Sequence, residues 1–147
     1  MKTQSNQNKI AVIGAGMAGP LISILLARRG YAVTLFERRS LDEHELIESG
    51  RSFNLTLTKR GLAALQAVGL ENDVKIISSP LLSRTTHRLN GGATQTKYGK
   101  LRDDILYSIK RTELNQLLVR AARATENIIL RDRFEYVDFN VSSAQLT

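Results

Sequence analysis

The stretch "KIAVIGAGMAGPLISILLARRGYAVTLFERR", from Lys9 to Arg39, decides the fold. Its opening run, Ile10 to Ile13, is short, rich in β-branched residues and free of polar ones, the pattern of a strand in a parallel sheet covered on both faces. Gly14, Gly16 and Gly19 follow in the order G-x-G-x-x-G. The first glycine suits a tight turn, the second lets backbone approach a pyrophosphate, and the third allows close helix-to-strand packing. A helix beginning there offers free N–H groups and the positive end of its dipole to phosphate oxygens. Pro20 is compatible with that helix. The carbonyl four residues back belongs to Gly16, still in the loop, so the proline falls in the first turn, where a missing donor costs little. Leu21, Ile22, Leu25 and Leu26 are spaced as a buried stripe, and Gly30 ends the helix behind the cationic Arg28 and Arg29.

A second strand, Ala32 to Phe36, leads into Glu37, about twenty residues beyond the last glycine, where a dinucleotide fold carries the acid that binds a ribose hydroxyl. Glycines in a β-to-α turn can be purely structural, and the motif alone is weak. Strand, glycines, helix, strand and acid in succession predict a Rossmann-like α/β fold that binds a dinucleotide. The acid disfavours a 2′-phosphate, so FAD or NAD is favoured. Arg38 and Arg39 stand beside it, able to cover the adenine or meet phosphate.

The chain has 147 residues, about one domain, with a formal net charge of +7. A basic chain invites a nucleic-acid reading, but its lysines and arginines are scattered, aromatics make up only 5%, and no DNA- or RNA-binding signature is present. A cationic shell around an anionic cofactor, or an acidic partner segment elsewhere, is the plainer account of the charge. The absence of cysteine excludes a disulfide framework and thiolate metal sites, and His44 and His87 are too isolated to form a metal cluster. No run is long enough to cross a membrane. Residues 1–8 read as a polar, disordered leader without an apolar signal core, which points to a cytoplasmic protein.

Downstream, residues 40–50 are charged and read as a helix or mobile loop whose Asp42, Glu43 and Glu45 are solvated. Thr58 to Val68 predicts a helix with Thr58 as N-cap, Leu62, Leu65 and Val68 inward, and Gly69 at its stop. "SSPLLSRTTHRLNGGATQTKYG" (78–99) predicts a hairpin turning at Gly91-Gly92. A strand in "DDILYSIKR" follows, then a helix from Thr112 with Leu114, Leu117, Leu118 and Ala121 on one face, and strands at Ile128–Leu130 and Phe134–Phe139.

Taken together, "GAGMAG", "ERR", "GRSFNLTLTKRGLAALQAVGL", "RTTHRLNGG", "YGK" and "YSIKRTELNQLL" resemble the kynurenine 3-monooxygenase family of FAD-dependent aromatic hydroxylases, from Lys9 to about Ala122. The first motif is shared by many flavoproteins. "GRSFNLTLTKRG" is more specific, being similar to the family's G-R-S-I-N-L-A-L-S-x-R-G, with Phe53, Thr56 and Thr58 as departures.

The resemblance implies an FAD-binding segment over residues 9–147, with part of an inserted substrate-binding β-sheet near 78–110. It implies FAD as cofactor, NADPH as co-substrate, and hydroxylation of L-kynurenine, an aromatic amino acid of tryptophan breakdown. Gly14, Gly16, Ala18 and Gly19 would line the pyrophosphate turn, Phe36, Glu37, Arg38 and Arg39 the adenosine, and Thr56 the cofactor's flank. Arg111 matches the arginine of the family's R-x-x-L-N helix, which contacts FAD. By itself an arginine at a helix start more often makes a structural ion pair. Arg84 and Tyr98 match an arginine and a tyrosine that hold the substrate carboxylate; without the resemblance both would be ordinary surface residues. No side chain is assigned as catalytic, because the flavin carries the hard step while protein orients substrate and excludes water.

The Asp-Gly and Gly-Asp motifs of the family's later segments are absent. The chain thus corresponds to the N-terminal third of such an enzyme and is expected to be inactive alone. The alternatives are another FAD-dependent hydroxylase or oxidoreductase, and a nucleotide-binding module without turnover.

Overall fold

A computed structural model of the chain describes residues 8–42, 53–98, 105–140, 143 and 145–146. The expected leader, apart from Asn8, and the charged segment beyond Asp42 lie outside the described residues. The elements are β1 (Lys9–Ile13), α1 (Ala18–Arg28), β2 (Ala32–Phe36), β3 (Asn54–Leu57), α2 (Lys59–Ala67), α3 (Glu71–Ile77), β4 (Ser79–Leu81), β5 (Ser83–His87), β6 (Ala93–Lys97), β7 (Leu106–Lys110), α4 (Arg111–Arg123), β8 (Ile128–Arg131), β9 (Phe139–Asn140) and β10 (Gln145–Leu146). They fall into two compact units, Met1–Arg51 with Asn115–Thr147, and Ser52–Leu114.

The first unit is built on a parallel sheet in the order β1-β2-β8. Apolar residues alternate along the strands, so Val33 and Leu35 of central β2 are fully buried, while Ala11, Ile13 and Ile129 of the outer strands face solvent. The expectation that the first strand is covered on both faces is therefore corrected: the described residues cover one face. Leu35 packs in a cluster with Ala15, Leu41 and Val119, flanked by Val12 and Leu130, and it also lies beneath Gly19. Both α1 and α4 thus sit on that side.

The buried stripe of α1 is also corrected. Pro20, Ser23, Ile24 and Ala27 are buried, whereas Ile22 is exposed and Leu21, Leu25 and Leu26 are only half-buried. The contact of Gly19 with the sheet sets the rotation of the helix, because residues four and eight positions on then face the same way. Ser23 is tolerated there because its hydroxyl donates to the Gly19 carbonyl at 2.8 Å. Gly30, with φ of +87°, ends the helix by donating to the Ala27 carbonyl.

Along α4 Leu114 and Leu118 are buried as anticipated, whereas Leu117 and Ala121 are half-buried and Val119 and Ala122 are buried in their place. The strand expected over Phe134–Phe139 is mostly irregular. Arg133 takes a left-handed backbone, and Phe134 donates to the Glu37 carbonyl while its ring packs on Phe36 at 5.7 Å, which pulls the chain out of ladder geometry. Only Phe139–Asn140 pairs, antiparallel with Gln145–Leu146.

The second unit holds an antiparallel sheet in the order β3-β7-β4 and a separate β5-β6 hairpin. The anticipated hairpin region therefore splits: Ser79–Leu81 pairs with β7, and Ser83–His87 pairs with Ala93–Lys97. Gly91 and Gly92 turn the hairpin with φ of +84° and +91°. Thr58 stands at the N-cap of α2, though its side chain makes no capping bond; Leu65 and Val68 are buried, and Gly69 has φ of +80°. Helix α3, not anticipated from sequence, carries Glu71 and Asp73 in its first turn, buries Val74, and closes an i,i+4 pair between Lys75 and Glu71 at 2.6 Å.

Candidate functional site

The glycine turn lies between β1 and α1, at the carboxyl end of the parallel strands, where ligands bind in open α/β sheets. Its three glycines do different jobs. Gly14 has φ of +95° and donates its N–H to the Phe36 carbonyl at 2.7 Å, so it makes the tight turn. A Cβ on Gly19 would fall 1.8 Å from the Gly14 carbonyl oxygen, so backbone there leaves no room for a side chain. A Cβ on Gly16 would meet nothing within 4 Å. Among the described residues, nothing approaches the position a Gly16 side chain would take.

Helix α1 begins at Ala18, which is exposed, after Met17 at the N-cap position. No side chain caps the helix and no acidic residue occupies its first turn. An anionic diphosphate fits this cradle: the space is open, the N–H groups are uncapped, and no side chain of the first turn competes with the ligand's charge.

Glu37 stands immediately past β2, only 6% exposed. Its carboxylate accepts from the Ala15 N–H at 2.8 Å, from the Arg39 N–H at 3.1 Å and from the Arg39 Nε at 3.0 Å. Burial pushes the carboxyl up, but the Arg39 side-chain bond, the two backbone N–H bonds and the Arg39 charge together outweigh it. The group is held below its ordinary value of 4.5 and is ionised at neutral pH. The acid expected at this position thus also ties the second strand to the turn. Arg39 is engaged with it, Arg38 is exposed, and Phe36 is half-buried against Phe134.

Sequence reasoning missed Asn115. Its side-chain amide donates to the carbonyls of Ala15 and Gly16 at 2.8 and 3.1 Å. Two signals were available: Asn115 closes the R-x-x-L-N motif, and it shares the stripe of Leu118, Val119 and Ala122, where an amide needs a partner.

In the second unit Thr56 is exposed on β3, opposite Ser108 of β7. Arg111 opens α4, donates its N–H to the Phe53 carbonyl at 3.1 Å, and holds its guanidinium 5.6 Å from the centre of the Phe53 ring. The Phe53 departure noted in the sequence thus supplies a cation–π partner for Arg111.

The hairpin register pairs Arg84 with Thr96, and Tyr98 continues the ladder by donating its N–H to the Leu82 carbonyl at 3.1 Å. Side chains two apart share a face, so Arg84 and Tyr98 are diagonal neighbours on one face of the hairpin, Arg84 exposed and Tyr98 half-buried. Among the described residues no group of His, Cys, Asp or Glu could hold a metal.

The family described as FAD binding domain matches residues 7–146. The chain belongs to that family. As an FAD-binding domain it is similar to kynurenine 3-monooxygenases from bacteria and an insect. It is 37% identical to that of Myxococcus xanthus (strain DK1622) over 145 residues, covering 99% of this chain and 31% of the relative. It is 41% identical to that of Legionella pneumophila (strain Lens) over 121 residues, covering 82% and 27%. The Drosophila melanogaster protein is 38% identical over 130 residues, covering 88% and 28%. The chain spans less than a third of the length of these relatives.

Among solved structures, the FAD-binding domain superposes on 2-methyl-3-hydroxypyridine-5-carboxylic acid oxygenase with a TM-score of 0.76 at 22% identity, over 97% of this chain and 38% of that one. It also superposes on PqsL from Pseudomonas aeruginosa, a probable FAD-dependent monooxygenase, with a TM-score of 0.74 at 15% identity, over 96% and 37%. These likenesses establish the α/β fold, and the family establishes FAD as its cofactor.

Proposed function

We propose that this chain is the dinucleotide-binding part of an FAD- and NADPH-dependent monooxygenase that converts L-kynurenine to 3-hydroxykynurenine. The observation that carries this reading is its 36–42% identity to kynurenine 3-monooxygenases over most of its length, joined to a glycine turn with an open cradle above Gly16. Gly14, Gly16, Ala18 and Gly19 would line the diphosphate and Phe36, Glu37, Arg38 and Arg39 the adenosine, and Thr56 and Arg111 are the further residues that would contact the cofactor. In the overall reaction one atom of O₂ enters the aromatic ring and the other leaves as water, with two electrons from NADPH. Bound FAD supplies that electron transfer and oxygen activation.

The residues of this chain bind and orient. Arg84 offers a two-pronged donor to the substrate carboxylate, and the Tyr98 hydroxyl adds a third bond from the same face of the hairpin. Sequence composition underlies the proposal that the protein is cytoplasmic; among the described residues no helix is long and apolar enough to cross a membrane.

The test is a chimera in which this chain replaces the matching segment of the Myxococcus xanthus enzyme. It should retain FAD, oxidise NADPH faster when kynurenine is added, and release 3-hydroxykynurenine. A chimera that keeps FAD but responds only to other aromatic acids would select a different flavin hydroxylase. The isolated chain is expected to oxidise no NADPH in response to kynurenine.

A further inference from the structure

We propose that Asn115 is a positioning residue for the diphosphate turn, orienting the Gly16 and Met17 N–H groups toward the dinucleotide. Its partners, the Ala15 and Gly16 oxygens, are both acceptors, so the amide nitrogen alone can serve both, and the assignment of Nδ2 follows from chemistry. In a trans peptide the carbonyl of one residue and the N–H of the next point in opposite directions. Drawing the Ala15 and Gly16 oxygens toward α4 therefore turns the Gly16 and Met17 N–H groups away from that helix.

Ala15 is held at both poles, its N–H by the Glu37 carboxylate and its carbonyl by Asn115. The peptide before Ala15 is thereby held through its N–H and the peptide after it through its carbonyl, so both are fixed in plane before any ligand arrives. This matters most at Gly16, since the absence of a side chain that opens the cradle also leaves its backbone the freest to rotate. The inference rests on the turn being the diphosphate site and does not involve the hydroxylated substrate.

The test uses the ¹⁵N-labelled chain titrated with ADP and with FAD, following the Gly16 and Met17 amide resonances beside thermal unfolding. In the wild type both amides should shift on ADP addition, and the Asn115 side-chain protons should exchange slowly with solvent. Asn115→Asp puts an acceptor where the donor stood at the same size, and Asn115→Leu removes the polar group. Each should move the Gly16 and Met17 resonances in the free chain and weaken ADP binding about tenfold, the factor for losing bonds worth about one to two kcal/mol. The resonances of the Ser83–His87 strand, in the other unit, should stay in place.

If the variants only lower the unfolding temperature, with ADP affinity and the two amide shifts unchanged, Asn115 is a structural strut and the proposal fails. Fast exchange of the Asn115 side-chain protons in the wild type overturns it even if neither variant folds. Wild-type Gly16 and Met17 amides that ignore ADP would instead remove the diphosphate reading of the turn, and this proposal with it.

Discussion

Glu37→Gln tests whether the acid proposed to bind the ribose is also a structural fastener. The carboxylate holds the Ala15 N–H with one oxygen and two Arg39 donors with the other. Glutamine is nearly the same size but has one acceptor oxygen, so its NH₂ must face either the Ala15 N–H or Arg39. A hydrogen bond to a charged group contributes about 1.5–3 kcal/mol, and the ion pair to the half-exposed Arg39 adds less than about 1 kcal/mol. A loss of about 2–3 kcal/mol lowers the unfolding temperature of a chain this size by roughly 4–12 °C.

The pH dependence gives the sharper test. Because the folded carboxyl titrates below its ordinary 4.5, its stabilisation is fully present above that value and is lost as pH falls through the folded value. The gap between wild type and Glu37→Gln, followed by circular dichroism, should be wide at pH 7 and close as the solution is acidified below about pH 4.5. A gap that is absent at pH 7, or unchanged down to pH 3, would refute the reasoning. FAD binding should also weaken in the variant, by roughly 1–3 kcal/mol, as both the ribose contact and the turn are affected.

Gly19→Ala should cost about 3 kcal/mol or more, seen as a large fall in unfolding temperature, because its Cβ would run into the backbone oxygen of Gly14. Gly16→Ala meets no atom of the chain, so the unfolding temperature should hold within roughly 2 °C while the Kd for FAD rises about tenfold. In the chimera, Arg84→Lys and Tyr98→Phe should each raise the Kd for kynurenine about tenfold with FAD content unchanged, since lysine keeps the charge without the fork and phenylalanine keeps the ring without the hydroxyl. Unaltered kynurenine binding in both would leave these residues as ordinary parts of the hairpin.

The stretch from β1 to β2 was legible because each signal there is local. A β-branched run, a glycine that must adopt positive φ, a proline in a first turn and a glycine stop all act within a few residues, and β1, α1 and β2 stand where those signals put them. What sequence misjudged depends on partners distant in the chain. The rotation of α1 is fixed by Gly19 against Gly14 and Leu35 rather than by the count of its leucines. The stretch after Arg131 reads as strand from its aromatics, yet Phe134 finds Phe36 and the Glu37 carbonyl instead of a ladder. Helix α3 escaped notice because seven residues are too few to show a helical period.

The site shows the same division more clearly. G-x-G-x-x-G reads as one motif, but its glycines answer to three different constraints: Gly14 to its own φ, Gly19 to neighbouring backbone, and Gly16 to no atom of the chain. A side chain missing where folding does not require it to be missing points to something outside the chain that needs the space. Asn115 is the counterpart of that gap. It is about a hundred residues away from the turn in sequence and holds the carbonyls on the side opposite the opening. No spacing rule could reach it from the glycines, because it closes the R-x-x-L-N motif of a distant helix and nothing in that motif says which backbone its amide meets. The motif therefore encodes the shape of the cradle, while the orientation of its donors is set by Glu37 and Asn115 from elements on either side of it.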